Sequence, residues 1–345
     1  MKHLWLLLLL ALLPTISFAM PTAEHIEEEI QSPEFSRALD MAETDGFIYS
    51  WEEDMKASFF DSVKEQKNSF FLLFSGILLY ALLLALAGRH PGAVFMGRLA
   101  LSAACMEHAA VQIRAAVLAV RELAGLVQVL LPSLCVLTAA SGGTFRAASG
   151  GTVGLICGEI GAAVIAGWVI PLAVFSFVTG VFHGVGEISL SGVTKFFSSL
   201  SKWVLGLVLS LSVGALVICG FASGVKDSMA MKTAKFLTGT LVPVAGTALS
   251  QAAESVAVSA NLLRGTVGTA GLIAVVLYLL KPVMQLLVAM LFYRLLSAIS
   301  DVLCGDKQAS VFASAADTFG MLIGTVAAMG VMAFFAVSVL LGGVG

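Results

Sequence analysis

Two carboxylates stand where acids are costly. Glu159 lies seven residues into an apolar run, among Gly154, Gly158 and Gly161, and Glu254 lies just beyond a short apolar segment, near Arg264. Ionisable groups at membrane depth are rare and mark ion pathways, proton relays or buried hydrogen-bonded pairs. Either acid is a candidate for lining or gating a polar path; the alternatives are a protonated glutamate bonded across a helix interface at 159 and an interfacial residue near water at 254. Arg294 sits deep in another apolar run, with Asp301 as a possible partner, and Lys281 marks an interface. Pro132 and Pro243 interrupt two short apolar segments, 126–140 and 237–251. A broken helix exposes backbone groups that only a polar cavity or neighbouring protein can satisfy in a membrane, so both prolines are lead positions for an interior pathway. A plain kinked transmembrane helix is the competing reading.

Catalytic signatures are missing. The sequence contains no phosphate loop, no His-Glu-x-x-His and no Gly-x-Ser-x-Gly. Cys105-x-x-His108 puts two possible metal ligands on one helical face beside Glu107, but no second pair accompanies it. Gly184-Val185-Gly186-Glu187 has glutamate where an intramembrane aspartyl protease carries aspartate, and no Tyr-Asp partner exists. The five cysteines all lie in or beside apolar runs and form no Cys-x-x-Cys, so neither a disulfide framework nor a zinc site is indicated. The expectation is a protein that is not an enzyme, with no cofactor and no metal.

The elements that position these residues are membrane helices. Of 345 residues, 59% are hydrophobic and 12% charged, the mean hydropathy is +0.98, and soluble domains carry about 25% charged residues. Residues 1–70 hold 13 acids and 5 bases, net −8, leaving 9 acids and 14 bases, net +5, in the rest. This excludes a soluble enzyme, a nucleic-acid binder and a disordered regulator. Lys2 and His3, the run Leu4–Leu13, Pro14 and Ser17-Phe18-Ala19 read as a signal peptide, 1–19. An acidic extracytoplasmic segment follows, 20–69, in which Phe47, Trp51, Met55, Phe59 and Val63 describe an amphipathic helix. Apolar segments then predict an all-α polytopic membrane protein with spans near 70–87, 152–169, 172–187, 203–222, 265–280, 283–300 and 320–343.

The body reads as duplicated. At a separation of 111, Leu130-Leu131-Pro132 matches Leu241-Val242-Pro243, Gly154 matches Gly265, and Pro171 matches Pro282. At 118, Gly206, Val208, Val213 and Ala215 match Gly324, Val326, Val331 and Ala333. The resulting organisation is a first transmembrane helix with a basic cytoplasmic loop, 70–117, and two membrane repeats, 118–222 and 229–345. Re-entrant short segments give seven spans and inverted repeats; crossing segments give nine and parallel repeats. Both leave eight bases inside against five outside, so charge does not choose between them.

One stretch resembles the stage III sporulation protein AE family of endospore-forming bacteria: Met231-Lys232-Thr233-Ala234-Lys235-Phe236, Leu241-Val242-Pro243-Val244-Ala245-Gly246, Ala252-Ala253-Glu254-Ser255-Val256, then Lys281-Pro282 and Leu291-Phe292-Tyr293-Arg294-Leu295. The likeness covers about 70–345. Where the family pattern carries a spaced acidic pair, this chain has Glu254 alone. The resemblance implies motif positions at Lys232, Lys235, Phe236, Gly246 and Arg294. It also implies a subunit of a channel or secretion complex joining mother cell and forespore, in the mother-cell membrane around the forespore, forming, gating or scaffolding a conduit for late sporulation. Implied partners are other stage III sporulation A proteins, including an ATPase, a forespore protein across the intermembrane space, and membrane lipid; nucleic acid is not among them. The alternative is a stand-alone secondary transporter with inverted repeats, which the duplication and the paired proline segments favour.

Overall fold

A computed structural model describes residues 47–86, 91–186, 189–241 and 245–342, and for 47–52, 91 and 224–257 the backbone alone. Every regular element among them is helical. Helix α1 (Phe47–Leu86) leads into α2 (Pro91–Ala140), α3 (Thr144–Val164), a single π turn (Ile165–Val169), α4 (Ile170–Val185), α5 (Ser191–Leu241), α6 (Ala245–Cys304) and α7 (Asp306–Leu341). Among the described residues, six helical stretches are long and apolar enough to cross a membrane. The stretch predicted as a signal peptide, most of the acidic segment and Pro243 lie outside the described residues.

The helices are longer than the sequence predicts, because the prolines do not end them. Pro132 lies inside α2 and Pro282 inside α6. Segments 152–169 and 172–187 run as one 42-residue stretch, Thr144–Val185. Breaking a helix in apolar surroundings opens up to four N–H and four C=O groups at the new ends, whereas a proline within it forfeits one N–H. At Pro171 the ring meets the carbonyl four residues back, at Gly167, and the π turn just before it widens the backbone there. The 36 residues of α7 rise about 54 Å, well over the ~30 Å of a hydrocarbon core. The amphipathic stretch of α1 continues without a break into its apolar run; Ser62 and Gln66 are its buried residues, Phe59 and Val63 are half-buried, and Met55 is exposed.

Helix α7 is the centre of the bundle. It packs against α2, α3, α4, α5 and α6, and 61% of its most apolar stretch is buried. Gly305 (φ +85°) starts it and Gly342 (φ +80°) caps it in the left-handed conformation that favours glycine. Close approach depends on two further glycines. A Cβ at Gly184 of α4 would lie 2.7 Å from the Lys307 carbonyl oxygen, and one at Gly154 of α3 would lie 2.9 Å from Leu131 and 3.4 Å from Ala336. Arg98 of α2 and Lys307 of α7 each reach 3.5 Å to the Val185 and Gly186 carbonyls that end α4, placing cations at the negative pole of that helix.

Candidate functional site

Three consecutive residues of α6 make a junction. Successive residues of a helix point about 100° apart, so Phe292, Tyr293 and Arg294 address different neighbours. Phe292 meets Phe70 of α1, with ring centroids 4.7 Å apart. Tyr293 is fully buried, edge-on to Phe319 of α7 at 5.0 Å and stacked with His108 of α2 at 5.6 Å. His108 Nδ1 lies 2.9 Å from the Tyr293 hydroxyl, and that hydroxyl lies 3.4 Å from the Cys105 carbonyl oxygen. The two bonds coexist when His108 Nδ1–H donates to the phenol oxygen and the phenol O–H donates to the carbonyl. Cys105 and His108 are thus joined through Tyr293. Arg294 Nη2 donates to Asp317 Oδ1 of α7 at 2.6 Å. The expected partner, Asp301, lies two turns further along α6 itself and is exposed; the pairing runs to the next helix.

A second polar contact joins α2 and α3. Gly158 lets α3 come within 3.2 Å of Val127, counted from the position a Cβ would take, and Gly154 does the same at Leu131. That approach sets Glu159 beside Gln128, whose amide donates to Glu159 Oε2. Both side chains are half-buried. A carboxyl oxygen accepts an amide N–H whatever the charge of the group, so the contact is a hydrogen bond between the two helices. Pro132, one turn along α2, is exposed on an unbroken helix, as the kinked-helix reading has it. Pro243 lies outside the described residues. Glu254 and Gly246 lie on α6 and Lys232, Lys235 and Phe236 on α5, where only the backbone is described.

Sequence reasoning did not pick out Gln128 or Asp317, weighed His108 only as a metal ligand, and met Tyr293 only within the motif Leu291–Leu295. For Asp317 a signal exists: Arg294 is eleven residues before Gly305 and Asp317 twelve after it, so a turn at that glycine brings two lone opposite charges level. Gln128 gives no such signal, since its partner lies on another helix at no fixed spacing.

Comparison with known proteins gives the family. A family model described as stage III sporulation protein AE matches residues 90–343. A curated relative, the stage III sporulation protein AE of Bacillus subtilis (strain 168), is 27% identical over 188 residues, 54% of this chain and 47% of that protein. The matched part of the chain therefore spans about half the length of that relative. No solved structure matches. The match at 90–343 takes in the α6 junction, both members of the Gln128–Glu159 contact and the whole of α7, and the chain belongs to the stage III sporulation protein AE family.

Proposed function

We propose that this chain is an integral membrane subunit of a channel or secretion complex between mother cell and forespore, resident in the mother-cell membrane around the forespore and needed late in sporulation. The observation that carries the reading is the family match over 90–343 on a chain whose described residues include six helices apolar enough to cross a membrane. In this reading it acts without catalysis of its own, beside other stage III sporulation A proteins, an ATPase among them, and a forespore protein across the intermembrane space. A cleaved signal peptide delivers the acidic head to that space. The filled centre of the bundle favours a scaffolding or gating subunit, with any conduit lying between this chain and its partners: α7 occupies the axis with Phe312, Phe319, Met329 and Ala333, all at 1% exposure or less.

The stand-alone transporter keeps one supporting observation, the Gln128–Glu159 contact within apolar helices. The experiment that separates the two readings replaces Glu159 and Glu254 together by Gln in a sporulating host. Late forespore gene expression and co-purification of the sporulation complex are then scored. For a gating subunit, the complex assembles and expression fails. If both survive, the carboxyls serve packing and the scaffold form of the reading stands. If expression fails only through loss of a gradient-driven uptake that the chain performs alone in vesicles, the transporter replaces it.

A further inference from the structure

Helix α1 changes character along one face. Its residues 68–86 carry no charged side chain and rise about 28 Å, close to the ~30 Å of a hydrocarbon core. A span over that run puts the charges just before it, Asp61, Lys64 and Glu65, at the level of lipid headgroups. Residues seven apart share a helix face, so Lys64 leads to Phe71 and Leu78, and Glu65 leads to Leu72 and Leu79. All four of these apolar side chains are exposed. On α6, Lys281 likewise precedes the apolar run 283–300.

Where α1 and α6 meet at this level lies a cleft of about 430 Å³, lined by Asp61, Lys64 and Glu65 of α1 and by Lys281 and Gln285 of α6. Hydrogen bonds fix its walls. Buried Gln66 donates from Nε2 to the Gln285 carbonyl oxygen at 2.7 Å, and Gln285 Nε2 donates to Glu65 Oε2 at 2.8 Å. Asp61 Oδ1 lies 3.6 Å from Lys64 Nζ, whereas Lys281 has no ion-pair partner among the described residues. Two ammonium groups and two carboxylates thus face one cleft, and their charges sum to zero. A simple anion or cation meets repulsion there as well as attraction. A ligand with both signs is matched at each end by charge-assisted hydrogen bonds. The exposed apolar columns that continue from Lys64 and Glu65 fit acyl chains attached to that ligand.

We propose that this cleft binds the headgroup of a phospholipid carrying a phosphate and a primary ammonium, phosphatidylethanolamine. The phosphate lies on Lys281 and Lys64, the ammonium on Glu65 and Asp61, and the acyl chains along Phe71, Leu72, Leu78 and Leu79. The inference goes beyond the proposed function, because the site stands or falls whether or not the chain serves sporulation. The full chain, purified in detergent and stripped of lipid, is titrated with phosphatidylethanolamine, phosphatidylcholine or phosphatidylglycerol, and bound lipid is counted by native mass spectrometry. A trimethylammonium has no N–H to donate, so phosphatidylethanolamine is expected to bind about tenfold more tightly than phosphatidylcholine, the worth of one charge-assisted hydrogen bond. Glu65→Gln keeps an oxygen to accept the Gln285 amide and is expected to abolish that preference. Lys281→Gln is expected to weaken both lipids about tenfold, and Lys202→Gln, at an exposed lysine of α5, to change neither. Equal binding of the ethanolamine and choline lipids in the unaltered chain overturns the proposal, as does unaltered binding in both cleft variants. Tighter binding of phosphatidylglycerol also overturns it, since the lysines are then a plain anion site. Glycerophosphoethanolamine, the headgroup without chains, is expected not to displace the lipid at equal concentration; if it does, the ligand is a soluble zwitterion and the lipid site is overturned.

Discussion

Helices α5 and α7 carry matching residues but differ in how far the helix around them is enclosed. Gly206, Val208, Val213 and Ala215 of α5 correspond to Gly324, Val326, Val331 and Ala333 of α7. Of the most apolar stretch, 61% is buried in α7 and 6% in α5. Gly206 and Gly214 face open space, whereas Gly330 is pressed against Leu279. Apolar composition therefore decides that a segment enters the membrane, and the number of neighbours decides what each position tolerates. In lipid the exclusion of water does not hold helices together, so α7 is held by close packing through small residues. A face like that of α5 is satisfied by lipid or by another protein.

Six substitutions sharpen or break this contrast, read as thermal stability of the purified protein in detergent. The largest loss is expected for Gly184→Ala, whose new Cβ meets the Lys307 backbone oxygen at 2.7 Å, a group that cannot rotate aside. About 3 kcal/mol is expected, the upper end of overpacking costs, against no loss for Gly206→Ala, where nothing lies within 4 Å. Next comes the matched pair. Ala333→Leu, at a position 1% exposed, should cost about 2 kcal/mol, and Ala215→Leu, exposed on α5, less than about 0.5 kcal/mol. Equal losses for that pair would mean that α5 is as enclosed as α7, and the contrast would fail. Tyr293→Phe removes the hydroxyl that links His108 and the Cys105 carbonyl and should cost about 1 kcal/mol. The smallest effect belongs to Asp317→Asn. Its ion pair is more than half exposed, so screening limits the loss to under about 1 kcal/mol.

The residues explain what was legible in the sequence. Membrane character, helical class and family could be read directly, because composition and the Lys281-Pro282 and Leu291–Leu295 motifs are local properties. Helix ends could not. Pro171 and Pro282 read as breaks, and Pro132 as a break or a kink, by a rule that holds in water, but apolar surroundings raise the cost of open helix ends above that of a missing N–H. Arg294 was identified as a buried-charge problem and its partner misplaced by sixteen residues, from Asp301 to Asp317, because a contact on the same helix is easier to foresee than one across a turn. The Gln128–Glu159 contact joins residues 31 apart on different helices, and only the glycine face of α3 hinted that α2 comes close. The central position of α7 was not legible, since its Ala-, Gly- and Val-rich pattern is also that of α5.

The account rests on α7 being enclosed, with α5 lying alongside its C-terminal half. A Cβ built at Gly220 of α5 lies 4.0 Å from the Val339 Cβ of α7, within the roughly 3.5–4.5 Å that a disulfide spans. The direct measurement is oxidative cross-linking of Gly220→Cys with Val339→Cys in the full chain freed of its native cysteines. A protease site inserted at the Gly305 turn lets the bond be scored as retention of the two fragments. The account predicts that this pair cross-links in the membrane while Gly206→Cys with Val339→Cys does not. Failure of the first pair, or equal cross-linking of both, would contradict it.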